Sequence, residues 1–167
     1  DSQDICFVTN GDYGDFLEKF RGKPYPSGDF VDENGKKLGE HRGTIRYTIG
    51  QRKGLGLSLK KPMYVSGKNI EKNQVILSEK EGIYFEGLLA NDFNWISLPP
   101  KGEMAVEAKT RYNGKAVPAI VSLRENGDVF LRFPEKERAV TKGQAVVLYD
   151  GDLVLGGGTI VEGYKKL

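Results

Sequence analysis

The sequence predicts a mainly β protein, with a small α+β domain containing one helix followed by a closed antiparallel β-barrel. Two patterns carry this prediction. Helical spacing of apolar residues occurs only in residues 12–20, whereas short alternating stretches separated by Asn-Gly and Asp-Gly pairs fill the chain from residue 81 onward. Glycine accounts for 22 of 167 residues, about twice its average usage, which favours many tight turns.

The helix is predicted over residues 12–20 because its apolar side chains recur at i, i+3, i+4 and i+7, namely Tyr13, Phe16, Leu17 and Phe20. Asp12 is the expected N-cap, and Gly22 with Pro24 ends the helix. We interpret the apolar stripe as part of a hydrophobic core.

Short strands follow the helix. Phe30-Val31 and Lys37-Leu38 flank Asn34-Gly35, which favours a hairpin with a type I′ turn because that turn needs positive φ at both central residues. The β-branched run of residues 44–49 belongs to the same strand-rich segment. Residues 63–66 and 75–78 are two further predicted strands.

The barrel is predicted from evenly spaced strands with alternating apolar residues, at 106–110, 117–123, 129–133, 145–149 and 153–155. Closure is favoured because it leaves no exposed sheet edge. Gly156-Gly157-Gly158 precedes Thr159-Ile160-Val161 rather than a helix, so we expect a tight bend or a bulge there and not a phosphate loop.

Composition excludes several classes of protein. Twenty-five basic against 23 acidic residues give a net charge of +2, so any nucleic-acid footprint must be local. One Cys and one His exclude a disulfide scaffold and a Cys/His zinc site, and we expect no metal. No apolar run is long enough to span a bilayer, so we expect no membrane partner. Because the single Cys excludes a disulfide scaffold, we expect a reducing, cytoplasmic compartment.

Cys6 is the first candidate for chemistry, because a lone thiol can carry sulfur or attack an electrophile. Its hydrophobic neighbours favour a buried, inert residue instead, and the residues alone leave both interpretations open. Asp1 and Asp4 oppose thiolate formation. The chain starts without Met and reaches Cys6 almost at once, so we expect the groups that activate Cys6 to lie in a preceding domain.

Two basic segments are the other candidates. Residues 39–56 combine cations and glycines, as a phosphate site does, but a solvated basic hairpin fits equally well. His41 in this segment is weak evidence for catalysis. Arg111-Tyr112, before a turn, has the groups to bind phosphate and stack on a base, although the dipeptide alone is unremarkable.

Together these segments resemble the C-terminal half of the tRNA-specific 2-thiouridylase family. The resemblance covers essentially the whole chain and is most specific in Tyr47-Thr-Ile-Gly-Gln-Arg-Lys-Gly-Leu-Gly56. Other matching motifs are Asp1-Ser-Gln-Asp-Ile-Cys-Phe7, Gly11-Asp-Tyr13, Gly39-Glu-His-Arg-Gly43, Asp92-Phe-Asn-Trp95, Arg111-Tyr112, Arg138-Ala-Val-Thr141, Gly143-Gln144, Tyr149-Asp-Gly151 and Leu155-Gly-Gly-Gly158.

The resemblance implies an enzyme that replaces the C2 oxygen of the wobble uridine of certain tRNAs with sulfur, using ATP and a cysteine persulfide. It implies a remnant of an N-terminal ATP-pyrophosphatase domain in residues 1–13, a central α+β domain in 14–80 and a tRNA-binding barrel in 81–167, similar to domain 2 of elongation factor Tu. The ATP-binding loop and an earlier cysteine of the family are absent from this sequence, so we expect the chain alone to be inactive.

The resemblance also implies roles for individual residues. Cys6 is expected to carry the persulfide, supplied by a sulfur-relay protein or a cysteine desulfurase. Arg111, Tyr112 and Gln144 are expected to contact tRNA, and Lys142 replaces a residue that is often Pro in the family. The 39–56 segment has no assigned role, although it can brace the Cys6 loop. The alternative is a non-catalytic barrel that binds tRNA or docks a partner.

Overall fold

The structure, a computed structural model, describes residues 13–167. It forms two compact units, one ending at Ile83 and the other spanning Tyr84–Leu167. We call them the N-terminal unit and the barrel unit. No helix in residues 13–167 has the length and apolar composition needed to cross a bilayer.

The N-terminal unit consists of one α-helix and a four-stranded mixed sheet. Its elements are α1 (Tyr13–Arg21), β1 (Gly28–Val31), β2 (Lys37–His41), β3 (Tyr64–Asn69) and β4 (Gln74–Ser78), with short 3-10 helices at Thr44–Arg46 and Lys80–Ile83. The strand order is β2-β1-β4-β3, and only β1 and β4 run parallel. Its core is formed by Phe30, Tyr47, Leu55, Val65, Val75 and Leu77.

The predicted hairpin is present, but its turn is not type I′. Gly35 has a φ of 83°, whereas Asn34 does not have positive φ. The loop is instead organised by Asp32, whose Oδ1 accepts the backbone N–H groups of Asn34 and Lys36, both at 2.9 Å. The Asn-Gly pair therefore located the turn correctly and misidentified its geometry.

Residues 44–49 do not form a strand. Gly43 has a φ of 102°, and a 3-10 helix follows at Thr44–Arg46. This turn places the ring of Tyr47 against Phe30, with centroids 5.0 Å apart. The β-branched composition predicted an extended run, but burial of one aromatic ring determines the local structure.

The apolar stripe of α1 is only partly buried. Phe16 and Leu17 are half-buried, and Phe20 is 85% exposed. Among the residues described in this helix, Gly14 alone is buried. The interpretation of the stripe as core is therefore wrong for Phe20.

The barrel unit confirms the predicted closed antiparallel barrel. Its six strands are β5 (Tyr84–Trp95), β6 (Met104–Lys109), β7 (Val117–Leu123), β8 (Val129–Arg138), β9 (Ala145–Asp150) and β10 (Leu153–Tyr164). They close in the order β10-β5-β8-β7-β6-β9, and every neighbouring pair is antiparallel. Inward-facing residues such as Leu88, Val121, Leu131 and Leu148 are fully buried in its core.

The glycine triplet lies inside β10, where the pairing with β5 shifts register between Gly157 and Thr159. This is the expected bulge. A Cβ on Gly156 would lie 2.5 Å from the carbonyl oxygen of Asn94, so the close approach of β5 requires glycine there.

Candidate nucleic-acid interface

The antiparallel order gives the barrel two ends of opposite charge. At one end lie the first residues of β5, β7 and β9 and the last residues of β6, β8 and β10, together with the adjoining loops. This end comprises residues 84–87, 107–117, 134–145 and 161–167. It carries eight Lys or Arg and five Asp or Glu, a net charge of +3. The other end, residues 91–104, 122–129 and 150–154, carries two basic and six acidic residues, a net charge of −4. We call the first the basic end and the second the acidic end.

Arg111 lies at the basic end, just after β6. Its Nη2 is 3.8 Å from Oε1 of Glu137, and its side chain is 38% exposed. Nε is buried without a hydrogen-bond partner in residues 13–167. The guanidinium thus faces a carboxylate at a distance too long for a hydrogen bond, and its buried Nε has no partner in the described part of the chain. An arginine with unused donors can bind a phosphate in bidentate fashion.

Thr110 and Glu137 support this arginine and were not identified from the sequence. Thr110 is 2% exposed, and its Oγ1 donates a 3.0 Å hydrogen bond to Oε1 of Glu137. The Glu137 side chain is only 12% exposed. The carboxylate that faces Arg111 is therefore fixed by a buried hydroxyl.

Tyr112 follows Arg111 in the turn before β7 and is 87% exposed. The turn is closed by the N–H of Gly114, which donates to the carbonyl of Arg111 at 3.0 Å. A phenol ring displayed on a closed turn offers a face on which an unpaired base can stack.

Gln144 lies in the loop before β9, and its backbone is fixed on both sides. Its N–H donates to Thr141 at 3.2 Å, and its carbonyl accepts from Ile160 at 2.8 Å. Ala139, buried at the root of the loop, has a φ of 55°, a left-handed conformation that costs an L-residue about 1–2 kcal/mol. The loop thus holds a defined backbone while the Gln144 side chain is exposed.

The strand register brings the Arg111 and Gln144 segments to the same place. In the antiparallel pair of β6 and β9, Lys109 faces Val147. Arg111 lies two residues beyond Lys109, and Gln144 immediately precedes β9, so both extend from this pair at the basic end. The three predicted tRNA-contact residues therefore share one end of the barrel.

Some charge at the basic end is already neutralised. Nζ of Lys136 lies 2.8 Å from Oε1 of Glu86, and this hydrogen bond lowers the pKa of the Glu86 carboxyl. The backbone N–H of Leu167 also donates to Glu86, at 3.0 Å.

Cys6, the predicted persulfide carrier, lies outside the described residues. Part of the 39–56 segment contacts α1 instead of presenting free charge: Nη2 of Arg46 lies 2.6 Å from Oδ1 of Asp15 and 3.0 Å from Oε2 of Glu18. His41 is 1% exposed and packs among aromatic rings, so it is a core residue of the N-terminal unit.

The glycine triplet of residues 156–158 is not a phosphate loop. The glycine triplet that resembles a phosphate loop in composition is part of β10 and is not followed by a helix. Residues 13–167 also contain no group of three or more His, Cys, Asp or Glu side chains arranged to hold a metal ion.

Comparison with known proteins gives two domain matches. Residues 14–79 match the tRNA methyl transferase PRC-barrel domain, and residues 85–160 match the Aminomethyltransferase beta-barrel domain. The tRNA-specific 2-thiouridylase MnmA of Acetivibrio thermocellus is 50% identical over 161 residues, 96% of this chain. The chain belongs to the tRNA-specific 2-thiouridylase family.

Other relatives of the family give the same picture. The 2-thiouridylase MnmA 1 of a Thermoanaerobacter species is 47% identical, and the MnmA of Geotalea uraniireducens is 45% identical, each over 96% of this chain. The chain spans 45%, 44% and 43% of the lengths of these three relatives, respectively. It therefore corresponds to less than half of such a protein.

Proposed function

We propose that this chain is the C-terminal part of a cytoplasmic tRNA-modifying sulfurtransferase that converts the wobble uridine of certain tRNAs to 2-thiouridine. The observation that carries the proposal is the basic end of the barrel, where Arg111, with unused donors, stands beside the exposed ring of Tyr112. Membership of the 2-thiouridylase family supplies the substrate class. Residues 81–167 then form the tRNA-binding domain and residues 14–80 the central domain.

The three contact residues have different tasks. Arg111 binds a backbone phosphate, which positions the tRNA without reading its sequence. Tyr112 stacks on a base or a ribose, and the amide of Gln144 donates to and accepts from polar edges nearby. Lys142, exposed in the same loop as Gln144, adds positive potential at the basic end.

Cys6 is the proposed sulfur carrier. Its thiolate attacks the outer sulfur of a donor persulfide, forming a new S–S bond to Cys6 while the donor's inner sulfur departs as a thiolate. The step moves one sulfur atom and needs no other oxidant or reductant. A sulfur-relay protein or a cysteine desulfurase is the proposed donor. ATP, which the family resemblance implies, is assigned to residues beyond those described.

Arg111→Ala tests the proposed interface in the 167-residue chain. Binding of a substrate tRNA transcript, measured by fluorescence anisotropy from low to moderate salt, is expected to weaken by about 1.5–3 kcal/mol, the usual range for a hydrogen bond to a charged group. The loss should be similar across substrate tRNAs, because a phosphate contact carries no sequence information.

Arg124→Ala is the matched control. Arg124 lies at the acidic end, and its guanidinium is 4.3 Å from the centroid of the Phe130 ring. Arg124→Ala therefore removes one positive charge from the same unit, but at the end opposite to Arg111. Its tRNA affinity should stay close to that of the parent chain. Equal affinities for the parent and Arg111→Ala at every salt concentration would remove Arg111 from the interface.

A further inference from the structure

The N-terminal unit has a basic stretch that the barrel interface does not explain. Residues 41–70 contain no Asp or Glu and seven cations, namely Arg42, Arg46, Arg52, Lys53, Lys60, Lys61 and Lys68. The barrel unit, by contrast, carries 11 basic and 11 acidic residues and is neutral overall. The net charge of +2 of the whole chain thus arises in the N-terminal unit, around this stretch.

Within this stretch, the loop of residues 52–63 lines a surface cavity that is open to solvent. The cavity has a volume of about 650 Å³, and its lining residues include Arg52, Lys60 and Lys61. Sites of about 300–1,000 Å³ are typical of small ligands or of single groups of a larger one. The remaining lining residues are glycines and mainly apolar side chains of the same loop.

The 52–63 loop is anchored rather than free. Leu55 is 8% exposed and belongs to the core of the N-terminal unit. Gln51, at the root of the loop, accepts the N–H of Thr48 through Oε1 at 2.9 Å and donates from Nε2 to the carbonyl of Lys53 at 3.0 Å. Its own carbonyl accepts the N–H of Val65 at 2.9 Å. These bonds tie the start of the loop to β3, just beyond its end.

Three of the four cations of the loop form no ion pair with residues 13–167, namely Arg52, Lys53 and Lys60, whereas Lys61 pairs with Glu79 at 2.7 Å. The guanidinium of Arg52 lies over the ring of Tyr64, 6.0 Å from its centroid. Gly54 and Gly56 have φ values of 74° and 70°, which turn the backbone where a Cβ would be strained. Cations without an ion pair, beside a turned backbone that contains glycine, are suited to binding phosphate oxygens.

We infer that the 52–63 loop is a second RNA-contact site, which binds backbone phosphate of the tRNA independently of the barrel. The inference rests on the proposed function, which supplies tRNA as the ligand. Its structural evidence comes from residues of the N-terminal unit and not from the barrel. Phosphate is favoured because Arg52 and Lys60 supply charge-assisted hydrogen bonds and the apolar lining accommodates a ribose face. An acidic segment of a partner protein is the competing occupant.

The test compares two double variants that remove the same charge. Arg52→Gln with Lys60→Gln removes the two cavity-lining cations that form no ion pair with residues 13–167. Lys36→Gln with Lys72→Gln removes two exposed lysines of the same unit outside the basic stretch. The affinity of the 167-residue chain for a tRNA transcript is measured between about 50 and 200 mM salt. The loop variant should lower the slope of log K against log salt by about 1.4–1.8, at 0.7–0.9 for each lost phosphate contact.

The control variant should leave the slope unchanged within the error of the measurement. Thermal unfolding of all variants identifies any loss of fold, and the single Lys60→Gln change is the milder second test, with an expected slope change of about 0.7–0.9. Protection of Lys60 from acylation by bound tRNA provides a readout that needs no substitution. If the loop and control variants have equal slopes, or Lys60 stays equally reactive with tRNA bound, the inference is overturned.

Two further comparisons separate this site from its rivals. If Arg111→Ala does not change tRNA affinity but the loop variant weakens it, the proposed contact at the barrel is wrong and the proposed contact at the 52–63 loop stands. The competing occupant is tested with a polyglutamate peptide. If the loop variant no longer binds this peptide but binds tRNA as well as the parent chain does, the inference is overturned in favour of an acidic protein partner.

Discussion

Among single residues, His41 is a buried polar side chain whose two ring nitrogens both form hydrogen bonds within the N-terminal unit. Its Nδ1 accepts the N–H of Gly43 at 3.0 Å, so Nε2 carries the proton and donates to the carbonyl of Asn73 at 3.1 Å. Both ring nitrogens are used only in the neutral form. Burial lowers the pKa of His41, and the carbonyl of Asn73 and the charge of Asp29 oppose this shift only in part.

The N-terminal unit is therefore expected to lose stability as the pH falls below about 6.5, the ordinary pKa of His in an unfolded chain. Between the lowered pKa of folded His41 and that value, the unfolded state binds more protons, so the free energy of unfolding rises with pH. The slope is at most about 1.4 kcal/mol per pH unit for one group. Urea unfolding followed by circular dichroism from pH 8 to pH 5 measures it.

His41→Gln is the control for this prediction, because an amide keeps a donor and an acceptor but does not titrate in this range. The variant should be less stable than the parent chain at pH 8 and should show a smaller loss between pH 7 and pH 5.5. If the stability of the parent chain and that of the variant depend on pH in the same way, groups other than His41 are responsible for the pH dependence.

Candidate site residues could be singled out from the sequence only where a family motif contains them. Arg111 and Gln144 could be singled out from the sequence by resemblance. Thr110 and Glu137, which fix the surroundings of Arg111, are 27 positions apart and meet only because β6 and β8 end together in the closed barrel. No periodicity or local spacing encodes that contact.

At the scale of elements, Arg46 attaches α1 to the 3-10 helix of the N-terminal unit. Its side chain is 12% exposed and bridges Asp15 and Glu18, which lie on one helical face. A Cβ on Gly14 would lie 2.6 Å from Nη1 of Arg46, so the guanidinium passes directly over the glycine. The other carboxylate oxygen of Glu18 accepts the N–H of Tyr25 at 3.1 Å, which ties the end of the helix to the same cluster.

Arg46→Gln should destabilise the attachment of α1 by about 1–3 kcal/mol, because two carboxylates lose their cation while one of them is mostly buried. Gly14→Ala should produce a similar loss by displacing the guanidinium. Hydrogen exchange of the α1 amides measures the effect locally, and exchange in the barrel unit should not change.

Arg42→Gln is the matched control, since Arg42 is an exposed arginine only four residues away. Its α1 amides should exchange at the parent rate. If Arg46→Gln and Arg42→Gln behave alike, the ion pairs contribute little and α1 is held by Phe16 and Leu17.

Element prediction succeeded where alternation is unbroken and failed where it changes phase. β6 and β7 were located from their alternating residues. β5 was missed because its pairing with β8 shifts register between Phe85 and Gly87, and Gly87 and Leu88 are both buried. A bulge reverses which residues face the core, so a period of two no longer describes the strand.

At the scale of the whole molecule, charge is organised in a way that composition conceals. The barrel unit is neutral, yet its ends differ by seven charges, from +3 to −4. This separation depends on which strand ends meet when the barrel closes, and a linear sequence does not state that. The same closure places the predicted tRNA contacts at the positive end, where a polyanion is attracted over about one Debye length.

The final prediction concerns Cys6 in a protein of full family length that contains this chain. Incubation with a persulfide donor should add one sulfur atom to the peptide containing Cys6, as detected by mass spectrometry under non-reducing conditions. Cys6→Ser should abolish thiolation of tRNA while leaving its affinity unchanged, because serine cannot hold a sulfane sulfur.

Arg111→Ala is the complementary variant, and the two together separate sulfur transfer from tRNA binding. It should weaken tRNA binding while the sulfur adduct on Cys6 still forms, because loading by the donor does not require a phosphate contact at the barrel. If no sulfur adduct forms on Cys6 and the Cys6→Ser variant still thiolates tRNA, Cys6 does not carry a persulfide. Cys6 would then be a buried core residue, and the chain would act as a non-catalytic tRNA-binding module.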